Sequence, residues 1–171
     1  AGGSTIGHEL THGFDDEGAK FGADGNLKRW WTARDRKLFE KKGKVLVAEY
    51  DRFKVPGGVS VNGKLTLGEN IADLGGASIA FDAFKHHLAK TGRKTVGGFT
   101  PEQRFFLGWA RADREHARPE FMKTAAAIDP HSPSEYRING PASNMDAFYK
   151  AFGVKKGDRL YRPPGERAKI W

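Results

Sequence analysis

His8-Glu9-Leu10-Thr11-His12 is the stretch from which the fold and the chemistry of this chain can be worked out. If the stretch is helical, His8 and His12 share one face, because residues four apart lie one turn above each other. Both imidazoles can then bind a single metal ion at about 2 Å. Glu9 lies beside the pair and is free to accept a proton from water. The alternative is a chance arrangement on an ordinary amphipathic helix.

A catalytic zinc site has three protein ligands and one open position, so a third ligand is needed. A third histidine in the pattern H-E-x-x-H-x-x-G-x-x-H is one source, but Asp15 and Gly18 stand where that pattern needs Gly and His. Downstream, Glu69 and Asp73 are four residues apart on a second predicted helix. We expect Glu69 to bind the metal and Asp73 to accept the second ring N–H of His8. A solvated acidic helix face is the alternative.

Further segments share their order with one enzyme family. They are residues 6–16, Trp30-Trp31-Thr32, residues 68–76, residues 100–107, His131-Ser132-Pro133 with Tyr136-Arg137, and the terminal Trp171. Together they resemble the neprilysin-like zinc metallopeptidases, which include endothelin-converting enzymes and bacterial oligoendopeptidases. The resemblance covers nearly the whole chain. The chain has no cysteine, whereas animal members usually carry cysteines here, so a bacterial member is favoured.

The resemblance implies a mainly α-helical fold with short β segments, the thermolysin-like (gluzincin) zinc-peptidase subdomain. It implies that residues 1–171 form the C-terminal portion of the catalytic domain. It also implies one Zn²⁺ per chain, with a ligand set consisting of His8, His12 and Glu69. Cobalt and manganese stay open as alternatives, because this ligand set does not select zinc alone.

The activity implied is the hydrolysis of peptide bonds in oligopeptides, with Glu9 as the general base. Asp73 then orients His8, His131 stabilises the oxyanion, and Arg137 binds a carbonyl of the substrate. Without the resemblance, a single histidine and arginine in a loop are more often solvated surface groups. Many family members carry an arginine two residues before the terminal tryptophan, where this chain has Lys169. Lysine keeps the charge but lacks the bidentate geometry of arginine, so the resemblance leaves a preference for a free substrate C-terminus open.

The resemblance also implies residues that lie upstream in the family, a substrate-aligning segment and a helical domain that closes the site. Ala1-Gly2-Gly3 stands where the first helix is expected to be under way, so we expect a proteolytic cut or an artificial boundary. Three interpretations follow. The first is a peptidase that acts together with its upstream part. The second is a catalytically silent zinc-binding fragment, or one chain of a nicked or assembled enzyme, and the third is a peptide-binding module. Family resemblance implies a periplasmic or secreted location.

Composition is compatible with a globular enzyme. The chain has 171 residues, of which 38% are hydrophobic, and these suffice for one core. The net charge of +8 is spread among interleaved acidic residues without a nucleic-acid motif, which argues against nucleic acid as a partner. The sequence has no apolar stretch as long as the roughly 18 to 20 residues that are needed to span a bilayer.

Local patterns predict where the other elements lie. Thr32 and Asp35 predict the start of a helix to about Phe53, with a buried stripe of Leu38, Val45, Leu46 and Tyr50. Residues 59–65 predict a hairpin about Asn62-Gly63. The Glu69 helix is expected to run to about Ala89, with Gly75-Gly76 allowing close approach of the first helix. Thr100-Pro101 predicts another helix start, residues 128–140 an irregular loop, and residues 144–152 a final short helix.

Overall fold

The computed structural model describes residues 2–170, so the expectations placed on Ala1 and Trp171 lie outside the described residues. Within this range the prediction of a mainly α-helical chain is confirmed. The α-helices are α1 (Gly2–Thr11), α2 (Ala33–Tyr50), α3 (Leu67–Thr91), α4 (Pro101–Ala112), α5 (Pro119–Ile128), α6 (Ser134–Asn144) and α7 (Asp146–Phe152). Among the described helices, none is both long enough and apolar enough to cross a bilayer.

Extended structure among the described residues is limited to isolated antiparallel bridges, which join Phe21 to Leu27, Lys54 to Ser60 and Val96 to Phe99. The hairpin predicted about Asn62-Gly63 is therefore misplaced. The chain reverses instead at Gly57 and Gly58, whose φ angles of 88° and 79° are accessible to glycine at little cost. Asn62 instead organises the turn just before α3, because its side chain accepts a hydrogen bond from the backbone N–H of Leu65 at 3.0 Å.

Both predicted helix starts are confirmed. The Thr32 side chain accepts a hydrogen bond from the N–H of Asp35 at the start of α2, and Thr100 forms a capping box with Gln103 at the start of α4. The predicted stripe on α2 is partly wrong, since Leu38 is 48% exposed while its neighbour Phe39 is buried. Either residue fits a helical period, and only packing against the rest of the chain distinguishes them.

The prediction of an irregular loop over residues 128–140 is wrong for the second half of this range. Helix α6 begins at Ser134, directly after Pro133, and runs through Pro141 to Asn144. A proline just before the first turn removes no helical hydrogen bond, because the first N–H groups of a helix have no partner within it. The predicted final helix begins at Asp146 instead of Asn144, since Asn144 ends α6. Arg137 therefore lies on a helix.

The contact between α1 and α3 is made through glycine, as the sequence predicts. A Cβ atom on Gly76 would lie 2.5 Å from the backbone nitrogen of His8, and one on Gly7 would lie 2.9 Å from the Cα of Gly76. A Cβ on Gly75 would lie 2.7 Å from the Thr11 side chain. Because no larger residue fits at Gly7 or Gly76, the backbones of the two helices touch. This contact brings His8 on α1, and His12 directly after it, to the acidic first turns of α3.

A buried carboxylate joins α2 to the end of α6 and the C-terminal tail. Glu49 is 1% exposed. Its two oxygens accept hydrogen bonds from Ser143 Oγ and Asn144 Nδ2, each at 2.8 Å. Arg162 Nη1 lies 3.4 Å from Oε1 of the same carboxylate. Asn144 in turn accepts the backbone N–H of Ala168 at 2.6 Å. The network fixes the tail against the helices.

The Glu49 network leads to a prediction about pH. Burial raises the pKa of Glu49 above its ordinary 4.5, although Asn144 and Arg162 oppose the shift. The folded state thus holds this proton more firmly than the unfolded chain, so the contribution of Glu49 to stability falls as the pH rises through the raised value. Glu49→Gln does not titrate. We expect the stability of the variant relative to the native chain to increase as the pH rises above 4.5, the ordinary pKa of glutamate.

Urea unfolding of both proteins at stepped pH measures this difference. The exposed substitution Glu40→Gln on α2 controls for the general loss of a negative charge. A difference between Glu49→Gln and the native chain that is constant with pH, or that decreases, contradicts the prediction.

Candidate metal centre

Three side chains from α1, its continuation and α3 meet at one point. His8 Nε2 lies 3.0 Å from His12 Nε2 and 3.2 Å from Glu69 Oε2, and His12 Nε2 lies 3.5 Å from Glu69 Oε1. One ligand atom from each residue can be chosen so that all lie within 4.8 Å of one another. His8 is buried, while His12 and Glu69 are half-buried. The residues named from the sequence as metal ligands are therefore brought together.

Each histidine has a carboxylate at its other ring nitrogen. His8 Nδ1 lies 2.9 Å from Asp73 Oδ1, and His12 Nδ1 lies 2.7 Å from Asp15 Oδ2. A carboxylate in this position holds the proton on Nδ1 and leaves the Nε2 lone pair available for a metal. Both Nε2 atoms then point lone pairs toward the same space.

The donor set fits a zinc ion. Zinc takes four ligands in a tetrahedron at about 2.0 to 2.1 Å, so neighbouring ligand atoms are about 3.3 Å apart. The separations of 3.0, 3.2 and 3.5 Å in this centre bracket that value. Two imidazole nitrogens and one carboxylate are also ligand types of catalytic zinc sites. A cleft of about 510 Å³ lined by His12 and Glu69 leaves room for a further ligand.

Charge in the centre is strongly coupled. The hydrogen bond to Asp73, followed by that to Glu69, raises the pKa of His8 to about 9. Burial acts to raise the pKa of Glu69, but the His8 hydrogen bond and the charges of His131 and His12 lower it overall. A cation is thus favoured between these groups, and in the metal-free chain the proton on His8 supplies it.

Arg137 reaches the centre from α6 and shares Asp73 with His8. Its Nε and Nη2 donate to Asp73 Oδ2 and Oδ1 at 2.9 and 2.8 Å, and its Nη2 lies 3.7 Å from Glu69 Oε2. This bidentate pair raises the pKa of Arg137. Tyr136 fixes this turn of α6, because its ring stacks on Phe53 at 4.3 Å and its hydroxyl donates to the carbonyl of Lys54 at 2.6 Å.

His131 lies on the loop between α5 and α6, with its Nε2 3.4 Å from Glu69 Oε2. Asp129 holds the histidine from behind, since Oδ1 lies 2.9 Å from its Nδ1 and accepts its backbone N–H at 2.8 Å. The loop is anchored to α3 by Ser132, whose hydroxyl donates to Asn70 Oδ1 at 2.8 Å. Both Ser132 and Asn70 are buried. The His131 imidazole is 49% exposed and thus accessible to a ligand in the centre.

The other residues named from the sequence are at the surface. Glu9 is exposed, and its carboxylate forms no hydrogen bond or ion pair with another residue in the range 2–170. Lys169 is also exposed, with its Nζ 3.7 Å from Asp146 Oδ2. His86 and His87 are exposed on α3.

Asp15 has a position that the sequence reasoning missed. It is 5% exposed, and its Oδ1 accepts backbone hydrogen bonds from Glu17 at 2.9 Å and Gly18 at 2.7 Å while Oδ2 faces His12. Its spacing of three residues from His12 was a usable signal, because a turn of helix brings such residues together. The chain leaves the α-helix after Thr11 for a tighter turn, His12–Phe14, which brings Asp15 under the ring.

Asp15→Asn is expected to weaken zinc binding by about 10- to 100-fold. The backbone N–H groups of Glu17 and Gly18 retain the amide oxygen, so the amide NH₂ faces His12 Nδ1. The proton of His12 then moves to Nε2 and blocks that atom as a ligand. Competition with a chromophoric chelator measures the affinity, with Asp24→Asn in an exposed turn as the control. An unchanged affinity in a folded Asp15→Asn chain contradicts this role.

Comparison with known proteins identifies the family. The chain is 40% identical over 169 residues to the neutral endopeptidase of Lactococcus lactis, covering 99% of this chain and 25% of that protein. It is 38% identical over 174 residues to human neprilysin, covering 99% of this chain and 23% of that protein. The crystal structure of the Mycobacterium tuberculosis zinc metalloprotease Zmp1 in complex with an inhibitor superimposes with a TM-score of 0.94 at 44% identity, covering 98% of this chain and 26% of that chain.

The chain thus spans about a quarter of the length of the curated relatives that it matches. Residues 1–168, nearly the whole chain, match the sequence profile of one family. On this evidence the chain belongs to peptidase family M13.

Proposed function

We propose that this chain carries the zinc centre of an endopeptidase that hydrolyses peptide bonds in oligopeptides. The observation that carries the proposal is the meeting of His8, His12 and Glu69 with a carboxylate behind each histidine. Their Nε2 atoms and the Glu69 carboxylate hold one zinc ion per chain. When bound, zinc supplies Lewis acidity and lowers the pKa of water toward about 7.

The remaining steps belong to side chains of this chain. Glu9 accepts a proton from the attacking water and passes it to the leaving amine. With both ring nitrogens protonated, His131 donates from Nδ1 to Asp129, which holds the ring, and from Nε2 to the oxygen that becomes negative at the scissile carbonyl. Arg137 has its Nε and Nη2 committed to Asp73, so its Nη1 donates to a neighbouring carbonyl of the substrate. Asp73 is a positioning residue, because it fixes both His8 and Arg137.

A second function is favoured by the exposure of the centre. Glu9 is exposed, and the His131 side chain is 49% exposed. The chain covers only about a quarter of the length of its relatives. Water-excluded sites strengthen the electrostatic interactions on which catalysis depends. The alternative is a catalytically silent zinc-binding fragment, or one chain of a nicked or assembled peptidase that needs an upstream part of the same protein.

One experiment separates the two functions. The intact mass, zinc content and hydrolysis of a quenched fluorescent peptide are measured with and without chelator, for this chain and for the longest natural polypeptide containing it. Chelator-sensitive hydrolysis by the longer protein alone supports a peptidase whose upstream part is required. Hydrolysis by the 171-residue chain alone supports the interpretation that this chain is sufficient for catalysis. A zinc-loaded but inactive longer protein contradicts the peptidase.

The location of the protein follows from the same proposal. We infer from family resemblance that it acts in the periplasm or outside the cell. Fractionation of the source cells with an antibody against this chain tests this, and a purely cytosolic signal contradicts it.

A further inference from the structure

A second cleft adjoins the metal centre and is not used by the mechanism above. It has a volume of about 600 Å³, and His131 and Arg137 form the wall that it shares with the centre. Its other walls come from α5, from the loop before it and from the start of α6. We call it the α5 cleft. Because His131 and Arg137 also face the centre, a ligand bound there can place a side chain in the cleft.

The floor of the α5 cleft is apolar. It is formed by Phe121, Met122, Ala125 and Pro133. The Phe121 side chain is 59% exposed, and Met122 and Ala125 are half-buried. In α5 as a whole only Ala126 is buried, so this helix leaves most of its apolar side chains in contact with solvent. A hydrocarbon chain laid on this floor removes apolar surface from water.

The rim of the α5 cleft carries an unneutralised negative charge on Glu115. Its Oε2 accepts a hydrogen bond from the neutral Ser134 hydroxyl at 2.5 Å, and it forms no ion pair within residues 2–170. The other carboxylates of the cleft have partners, since Glu135 pairs with Arg159 at 2.8 Å and Asp129 with His131. The cleft is therefore negative at Glu115 although the chain as a whole carries +8.

We propose that the α5 cleft is a specificity subsite for a lysine or arginine side chain of the peptide substrate. The aliphatic stem lies on Phe121 and Met122, and the cationic head reaches the Glu115 carboxylate that Ser134 holds in place. Lysine and arginine bury their stems on apolar surface while keeping the charge at its edge, which matches this arrangement. Arg137 does not repel the head strongly, because its charge is paired with Asp73. The inference rests on the proposed peptidase function.

The test compares matched substrates with the longest natural polypeptide containing this chain. Fluorogenic peptides carry lysine or the uncharged norleucine, placed in turn at each of about three positions on either side of the scissile bond. At one position we expect kcat/KM to be higher for lysine, and Glu115→Gln to reduce that preference by about two- to fivefold, the range of an exposed ion pair. The amide oxygen of Gln still accepts the Ser134 hydrogen bond, so the loop keeps its geometry.

Two further variants make the test specific. Glu120→Gln removes the same charge from the first turn of α5 without lining the cleft, and it is expected to leave the lysine preference unchanged. Phe121→Ala is expected to lower kcat/KM for lysine and norleucine peptides alike, by about threefold, because both stems lose apolar contact. Anisotropy of labelled peptides bound to the Glu9→Gln protein gives the same comparison without turnover.

The outcomes separate this inference from the proposed function. Hydrolysis without any lysine preference, or a preference that Glu115→Gln does not reduce, overturns the subsite and leaves the peptidase standing. Equal losses in Glu115→Gln and Glu120→Gln also overturn it, because a general field explains them. If the zinc-loaded protein neither hydrolyses nor binds the peptides, both the subsite and the proposed peptidase function are overturned.

Discussion

Glu9→Gln is expected to retain about one zinc ion per chain and to lose peptide hydrolysis by about a thousandfold or more. Glutamine has the size of glutamate but cannot accept a proton from water at neutral pH. Zinc content stays the same because Glu9 is exposed and belongs to neither the ligand set nor the carboxylates behind the histidines. Metal analysis and kcat/KM for a quenched fluorescent peptide, on the longest natural polypeptide, measure the two effects.

The control for Glu9→Gln is Glu40→Gln, an exposed glutamate on α2 that pairs with Arg36. It is expected to change neither zinc content nor hydrolysis. Substantial residual hydrolysis by Glu9→Gln rules out Glu9 as the general base. Loss of zinc in the same variant places Glu9 among the groups that hold the metal.

Asp73→Asn is expected to affect both the metal and the substrate. Asp73 accepts from His8 Nδ1 at 2.9 Å and from two nitrogens of Arg137 at 2.8 and 2.9 Å. Asparagine supplies one acceptor oxygen, whereas Asp73 Oδ1 serves both His8 and Arg137 Nη2 and Oδ2 serves Arg137 Nε. An NH₂ group therefore faces Arg137 in either orientation of the amide, and in one orientation it also faces His8. We expect zinc affinity to fall by about 10- to 100-fold, and kcat/KM to fall further even with zinc saturating.

Arg137→Lys is the matched comparison for Asp73→Asn. It keeps a positive charge beside Asp73 and leaves the His8 hydrogen bond in place, while it removes the planar bidentate contact. Its zinc affinity is expected to stay within about threefold of the native value, and its KM to rise. Equal loss of zinc in both variants contradicts the separate roles, because it makes Arg137 part of the support for the metal.

Local spacing in the sequence was sufficient to predict the candidate metal ligands and the carboxylate of Asp73 that supports His8. His8 and His12, like Glu69 and Asp73, are pairs four residues apart, and a helix places such pairs on one face wherever it lies. The helix starts at Thr32 and Thr100 were equally predictable, because capping hydrogen bonds join residues only three apart. Asp15 was within reach of the same reasoning, because it lies three residues after His12.

The predictions that were wrong depend on contacts remote in sequence. Prolines at 130 and 133 favour a loop, yet α6 begins immediately after the second of them and carries Arg137 to Asp73 on α3. Leu38 and Phe39 both suit a helical stripe, and packing of the folded chain buries Phe39. The turn at Gly57 and Gly58 was less conspicuous than Asn62-Gly63, whose asparagine stabilises the turn before α3.

By itself, the sequence determined which side chains are candidate metal ligands, because residues four apart come together wherever the chain is helical. The sequence also allows the two helices to touch, because residue 76 is glycine and a Cβ atom there would collide with the backbone of His8. Only the tertiary structure decided which groups remote in the sequence surround the centre: Arg137 paired with Asp73, and the α5 cleft behind His131. Both depend on packing between elements far apart in the chain, which no local spacing rule specifies.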